Sequence, residues 1–328
     1  MRRAYLSWLA IAALLVAGFA ASVTALNADV YSAPGFVKSY LDALGRRDAR
    51  AALAYPGVLT ADTESGSLLT QAAMSGLGDI RLVSDVELTG GVHAVTFDVS
   101  LPNGTARTEF HVQPSDATLG LFANWSFSES PLGLLAVTTV GTDAFSVNGL
   151  PVERDVSAGD GTDTTAPFLV FAPGLYALDH ESTWLEAIDV ETRVTEPGAV
   201  TDATLTARAN DAFRTAVQTD VDTALDACAE QDVLQPTACP FGKRITDRVD
   251  GSPEWSITDY PVVTIGIGDQ VGEWVAVASN GRVQLDATVQ SLFDGTVSAR
   301  DDEVPFTVEY LIEFRAGNTL VITAVPTD

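Results

Sequence analysis

Arg2 and Arg3 stand before 25 uncharged residues, Ala4 to Ala28, and the run ends at Asp29. This feature constrains the chain most, because so long an apolar run needs either a bilayer or removal as a leader. Its densest part, Trp8 to Ala21, has the length of a signal-peptide core. The whole run is long enough to cross a bilayer. The flanking charges orient the N-terminus to the cytoplasm, and Tyr5 and Trp8 stand where an interfacial aromatic belt lies. Residues 1–28 are therefore expected to be a transmembrane anchor or a signal peptide, with cleavage after Ala25 in the second case. No cysteine stands near the end of the run, which disfavours a lipoprotein anchor. Either way the bulk of the chain is expected outside the cytoplasm, held at the cell membrane or, if cleaved, secreted.

The remainder is acidic. The chain has 18 Lys and Arg against 44 Asp and Glu, a net charge of -26. Two of those basic residues are Arg2 and Arg3, so the part beyond the apolar run is more negative still. Such a surface repels phosphate backbones and anionic headgroups, so no nucleic-acid partner is expected. Its simplest role is solubility. The two cysteines, Cys228 and Cys239, lie close together, and in an exported chain such a pair is most simply a disulfide. They lack the C-x-x-C spacing of a redox pair, and their segment offers too few ligands for a metal.

Residues 29–131 begin with helical signals. Ser32 and Pro34 suit a helix start, and Phe36, Val37, Tyr40, Leu41 and Leu44 share one face. Gly45 is expected to end this helix, and Asp48 to cap a second through Leu53. A weaker helix is expected over Leu68 to Leu77. Strands follow over Ile80–Leu88, Val92–Leu101, Thr105–Val112 and Leu119–Phe127, with turns at Gly90-Gly91 and Asn103-Gly104.

In residues 132–198 helical periodicity disappears. Asn148-Gly149 signals a hairpin, FLVFAPGLYALD reads as strand, turn and strand, and Glu196-Pro197-Gly198 marks a boundary. Residues 199–328 then open with a long amphipathic helix expected from about Ala203 to Glu230, on a stripe that includes Leu205, Ala209, Phe213, Val217, Val221 and Leu225. Alternating strands follow, with turns expected at Asn280-Gly281 and Gly317-Asn318.

The segment from Gly35 to Leu53, GFVKSYLDAL then GRRDARAAL, is similar to the opening helices of NTF2-like, cystatin-like α+β domains. The tail looks like a second such domain, and VNGLPV followed by FAPGLYAL resembles a small PEGA-type β-sandwich. As a whole the chain resembles actinobacterial membrane or exported proteins with extracytoplasmic NTF2-like modules. The resemblance implies an α+β fold: an N-terminal transmembrane helix, then two NTF2-like helix-plus-antiparallel-sheet domains with a small all-β sandwich between them. It carries over no catalytic residue, since that fold hosts unrelated functions.

A search for catalytic motifs finds no phosphate loop, zinc-protease helix or nucleophile elbow. Gly266-Ile-Gly268 lacks the spacing of a dinucleotide site. No catalytic, cofactor-binding or metal residue is assigned, and no cofactor is expected. His93 and His111, on neighbouring strands, are expected to be able to share a face, with Asp98 as a carboxylate partner in a pocket; ordinary sheet histidines are the alternative. Asp160 and Asp163 suggest a calcium loop but lack the EF-hand pattern, and Asp301, Asp302 and Glu303 read as a solvated turn. Trp125, Trp255, Trp274 and Tyr260 read as core or as a pocket wall. Three functions stay open: a non-catalytic, membrane-tethered protein binding envelope proteins or cell-wall components; an assembly subunit of a secretion or conjugation complex; and a ligand-binding or enzymatic NTF2-like cone.

Overall fold

In the computed structural model, residues 2–59, 68–118, 122–153, 163–270, 272–315 and 318–325 are described. Helix α1 spans Arg2–Ala28. Its stretch Ile11–Ala28 has a mean hydropathy of 1.9, and none of it is buried against the rest of the protein. An apolar helix exposed on all sides in water is unfavourable, so α1 has the length and composition of a membrane span rather than of a core helix.

The first unit packs helices on one face of a sheet. Helix α2 covers Ala33–Gly45, and the Ser32 hydroxyl caps it by accepting the Gly35 amide. Helix α3 covers Ala49–Leu53, capped by Asp48. Gly45 does not make the bend between them. The left-handed residue is Arg47, at φ 56°. The Asp48 amide bonds the Ala43 carbonyl and the Arg47 amide bonds the Leu44 carbonyl, the pattern of a Schellman cap. Strands β1 (Ile80–Glu87), β2 (His93–Leu101), β3 (Gly104–Thr118) and β4 (Phe122–Phe127) form an antiparallel meander in chain order. Val37, Tyr40 and Leu41 of α2 pack on Val95, Phe97, Phe110, Val112 and Phe127. The helix expected over Leu68–Leu77 is absent. Leu69 and Met74 enter this core, whereas Leu68 and Ala73 enter the core of the next unit. A segment that must bury side chains in two cores runs as an irregular strap.

The second unit holds β5 (Leu132–Val140), β6 (Ala144–Val147), β7 (Leu150–Glu153), β8 (Asp163–Phe171), β9 (Gly174–Asp179), β10 (Leu185–Ala187), β11 (Val190–Val194) and β12 (Val200–Ala209). They form two four-stranded sheets, β10-β12-β5-β8 and β11-β9-β6-β7. The sheets face each other across Leu135, Val137, Val170 and Leu205 on one side and Phe145, Val147, Tyr176 and Leu178 on the other. Asn148 (φ 50°) and Gly149 (φ 77°) make the expected hairpin turn between β6 and β7.

Strand β12 corrects the helix expected from Ala203. Leu205 and Ala209 are four residues apart, a spacing that falls on one side of a helix and one face of a strand alike. The residues between them decide: Ala203, Leu205, Ala207 and Ala209 are buried, and Thr204, Thr206 and Arg208 are exposed. Helix α4 therefore starts later, over Asp211–Ala229, with Asn210 as its cap rather than Asp202 or Thr201. Because β12 pairs in parallel with β5, residues 199–209 belong with the second unit. Ala207 and Ala209 at the end of the same strand enter the core beneath α4.

In the third unit α4 buries Phe213, Val217, Val221 and Leu225 against a sheet. The sheet runs β13 (Arg248–Asp259), β15 (Glu273–Gln290), β16 (Val297–Arg315), β17 (Thr319–Val325), with β14 (Val262–Ile267) also paired to β15. Asn280-Gly281 is not a hairpin turn. It is a bulge inside the 18-residue strand β15, where Ala278 pairs with Val308 and Gly281 with Phe306. Asn280 takes φ 65°, the same left-handed backbone that a tight turn demands. A Cβ on Gly281 would lie 2.3 Å from the Phe306 ring, so glycine lets that ring cover the strand. Asp301, Asp302 and Glu303 lie within β16, not in a solvated turn; Asp302 ion-pairs with Arg300 and Lys243, and Glu303 with Arg282.

Cys228 and Cys239 form the expected disulfide, with Cα atoms 5.8 Å apart. It ties the end of α4 to the loop that carries Phe241 onto Trp255. On the chain-entropy account so short a loop contributes about 2.5–3 kcal/mol, and reduction is expected to lower the denaturation free energy by about that amount. Arg47→Gly is expected to do the opposite. A left-handed non-glycine residue costs about 1–2 kcal/mol, more than the freedom glycine adds to the unfolded chain, so urea denaturation should show a modest stabilisation.

Candidate ligand pocket at the membrane helix

The chain passes from α1 to α2 through only four residues, Asp29 to Ser32, and these are held tightly. The Tyr31 amide bonds the Leu26 carbonyl at 2.9 Å, and the Ser32 hydroxyl bonds the Asp29 carbonyl at 2.6 Å. A Cβ on Gly35 would stand 2.4 Å from the Asp29 carbonyl oxygen, so only glycine lets α2 lie this close to the connection. Strand β4 completes the joint. The Ala123 amide donates to Asn27 Oδ1 in the last turn of α1 at 3.1 Å, and Trp125 Nε1 donates to the Tyr31 carbonyl at 2.9 Å. The Tyr31 ring lies 4.7 Å from that of Phe122.

Against this joint lies an open-mouthed pocket of about 570 Å³ between α2, α3 and the β3–β4 end of the sheet. This volume falls in the roughly 300–1,000 Å³ range of small-ligand sites. Tyr31, Phe36, Tyr55 and Trp125 supply aromatic wall, Ala54 an apolar floor and Ser39 a hydroxyl. No charged side chain lines it among the described residues, a contrast with the acidic composition. Phe36 meets the edge of Tyr55 at 5.5 Å and packs on Phe127 at 5.1 Å, which fixes the inner wall. Burial pushes the Tyr55 hydroxyl above its ordinary range; the nearby Arg46 charge and a hydrogen bond with Ser39 oppose that shift. The hydroxyl therefore stays protonated and serves as a hydrogen-bonding group.

The three side chains singled out from sequence do not form one site. In the β2–β3 register His93 faces Val112 and Ala94 faces His111. Since alternate residues point to opposite faces, His93 lies on the helix side with Val95 and Phe97, and His111 on the other side with Asp98. The expected shared face is thus corrected by a one-residue offset. His93 Nδ1 sits 2.7 Å from Asp85 and its ring meets Trp125 at 4.9 Å, so it backs the pocket wall without lining it. Asp98 accepts from Arg81 at 2.8 Å and from Arg107 at 2.8 and 3.1 Å. The hydrogen bond with Arg107 does most to hold its carboxyl down to about 2, so it is an ion-pair partner and not a proton carrier.

His111 lines a separate crevice of about 410 Å³, with Thr96, Arg107, Glu109 and Glu129, closed by Glu196 and Pro197 of the second unit. Its Nδ1 lies 3.0 Å from Glu129 and its Nε2 3.3 Å from Glu109. The Glu129 hydrogen bond pushes the imidazole above its ordinary value. Among the described residues no group of His, Cys, Asp and Glu is arranged to hold a metal ion. Asp160 lies outside the described residues, and Asp163 begins β8. Of the four aromatics, Trp125 lines the pocket, Trp255 and Trp274 are core, and Tyr260 bonds Asp226 at the surface.

No family model, curated protein or solved structure matches the chain. The pocket escaped the sequence reading because Phe36 read as a core residue on a helix face and Tyr55 carried no signal of its own. Only Trp125 carried a signal, as an aromatic next to alternating strands.

The raised His111 pKa gives a signed pH effect. A group whose folded pKa exceeds its unfolded value stabilises fully below the unfolded value, and that stabilisation is lost as pH rises through the folded value. His111→Gln is therefore expected to lower the melting temperature more at about pH 5.5 than at about pH 8.5. An equal loss at both would show that Glu109 and Glu129 do not act on the imidazole.

Proposed function

We propose that this protein is a non-catalytic, membrane-tethered extracytoplasmic protein that binds envelope partners, with protein favoured over cell-wall material. In this reading α1 stays in the membrane with its N-terminus in the cytoplasm. The first and third units are NTF2-like modules and the paired sheets between them a PEGA-type β-sandwich, as in the actinobacterial exported proteins the chain resembles. Helices preceding an antiparallel meander support the first assignment. The opposed four-stranded sheets support the second.

The observation that carries the binding role is the tip of the β15–β16 hairpin. Phe293 is 99% exposed and Leu292 74%. The turn that presents them is well tied: the Ser291 hydroxyl accepts the Phe293 and Asp294 amides, Asp294 accepts the Thr296 amide, and the Ser291 amide bonds the Thr296 carbonyl. An ordered turn loses little further backbone freedom when the two large apolar side chains it presents dock, which favours an interface anchor. Strand β1 adds a second surface, an edge strand exposing Leu82, Val83 and Val86. Exposed edges of this kind accept another strand.

A photo-crosslinking amino acid at position 293, used in intact membranes, is expected to give discrete protein adducts. Leu292→Ala with Phe293→Ala should reduce co-purification of the same partner by tenfold or more, since loss of an anchor costs about 2 kcal/mol or more. No reproducible adduct, or equal recovery with the double variant, would count against the reading.

A further inference from the structure

We propose that the pocket formed by Tyr31, Phe36, Ser39, Ala54, Tyr55 and Trp125 takes up the acyl chain of a phospholipid from the outer leaflet of the membrane that α1 spans. This rests on α1 remaining in place as a membrane span.

The occupant follows from position. The pocket wall is bonded to the last turn of α1 through Asn27 and Ala123, and to the connection through Trp125 and the Tyr31 carbonyl. The 18 residues Ile11–Ala28 rise about 27 Å as a helix, close to the hydrocarbon thickness of a bilayer. Asn27 then stands at the outer edge of the hydrocarbon. Tyr31, four residues on, is at headgroup level. The pocket cannot move away from that level, because four residues connect it and Gly35 packs directly on their carbonyls. Lipid chains are the apolar molecules most concentrated at this depth.

The chemistry of the wall agrees. It presents aromatic rings, alanine and a hydroxyl, with no charged side chain among the described residues. Tyrosine and tryptophan are the side chains suited to the border between chain and headgroup. The two helices beside the pocket also differ in charge from the chain as a whole. Lys38, Arg46, Arg47 and Arg50 outnumber Asp42 and Asp48 along α2 and α3, in a chain of net charge -26. A lipid chain in this site would leave the leaflet only partly, its headgroup remaining at the rim near Arg46.

The test uses the full chain in vesicles of phosphatidylethanolamine and phosphatidylglycerol that contain a phospholipid with a photoactivatable group on its acyl chain. After illumination, labelled peptides are mapped by mass spectrometry. Label is expected on α1 and, in the same sample, on residues 30–56 or 122–127. Ala54→Phe and Ser39→Phe, both at exposed positions of the wall, should each reduce the second set several-fold while leaving α1 labelling unchanged. Label on α1 alone in the unaltered protein would overturn the proposal while leaving the anchor intact, whatever the variants do. No label on α1 would overturn the anchor and the proposal together. Pocket labelling unchanged by either filling variant would also overturn it. So would labelling by a photoactivatable free fatty acid but not by the phospholipid, which would make the ligand a soluble one.

Discussion

One face of one strand joins the two large parts of this molecule. Strand β12 pairs in parallel with β5 and buries Ala203 and Leu205 in the core between the two middle sheets. The same face continues through Ala207 and Ala209 into the core beneath α4, where Leu185 of β10 also enters. Asn210 then caps α4 without any intervening loop. A strand whose apolar face is divided between two cores cannot slide by one residue without exposing both sets. Gly141 reinforces the contact: a Cβ there would stand 2.9 Å from Ile267 and 3.3 Å from Trp274. The Trp184 indole adds a bond to the Asn318 carbonyl.

The first unit joins the second by a different device. The strap from Leu68 to Leu77 inserts side chains into both cores, and the Asn148 side-chain amide, which bonds Leu175 and Ala177 of β9, also donates to the Ala73 carbonyl. At its other end the first unit is joined to α1 by hydrogen bonds and a close backbone approach. These short, well-packed connections leave little room for the units to reorient, so the direction set by α1 is passed along the chain. The candidate pocket and the candidate contact tip are both consequences of that rigidity. One is held where the membrane helix ends, and the other is held out on two paired strands of 18 and 19 residues.

Much of the local structure was legible because it depends on short-range chemistry. Ser32 and Asp48 cap the helices they were expected to cap, and Asn103-Gly104 and Asn148-Gly149 turn the chain where positive φ is needed. The errors share a physical origin. Asn280 adopts the same backbone as a turn residue, but a bulge requires that backbone too, and only the continuity of pairing with β16 separates the two. Leu205 and Ala209 fit both periodicities. His93 and His111 stand on neighbouring strands as expected, but the register places them on opposite faces. The pocket was less legible than the fold, because its wall draws Tyr31, Phe36, Tyr55 and Trp125 from four separate segments.

By itself the sequence determined the apolar span behind Arg2 and Arg3, the acidic composition, the proximity of Cys228 to Cys239 and most turns, because each depends on residues close together in the chain. Tertiary structure alone decided which faces meet: that β12 serves two cores, that Asp98 is held by Arg81 and Arg107, and that an aromatic pocket, lined by no charged side chain among the described residues, opens beside the last turn of α1. Those outcomes depend on strand register and on packing between distant segments, which local periodicity does not encode.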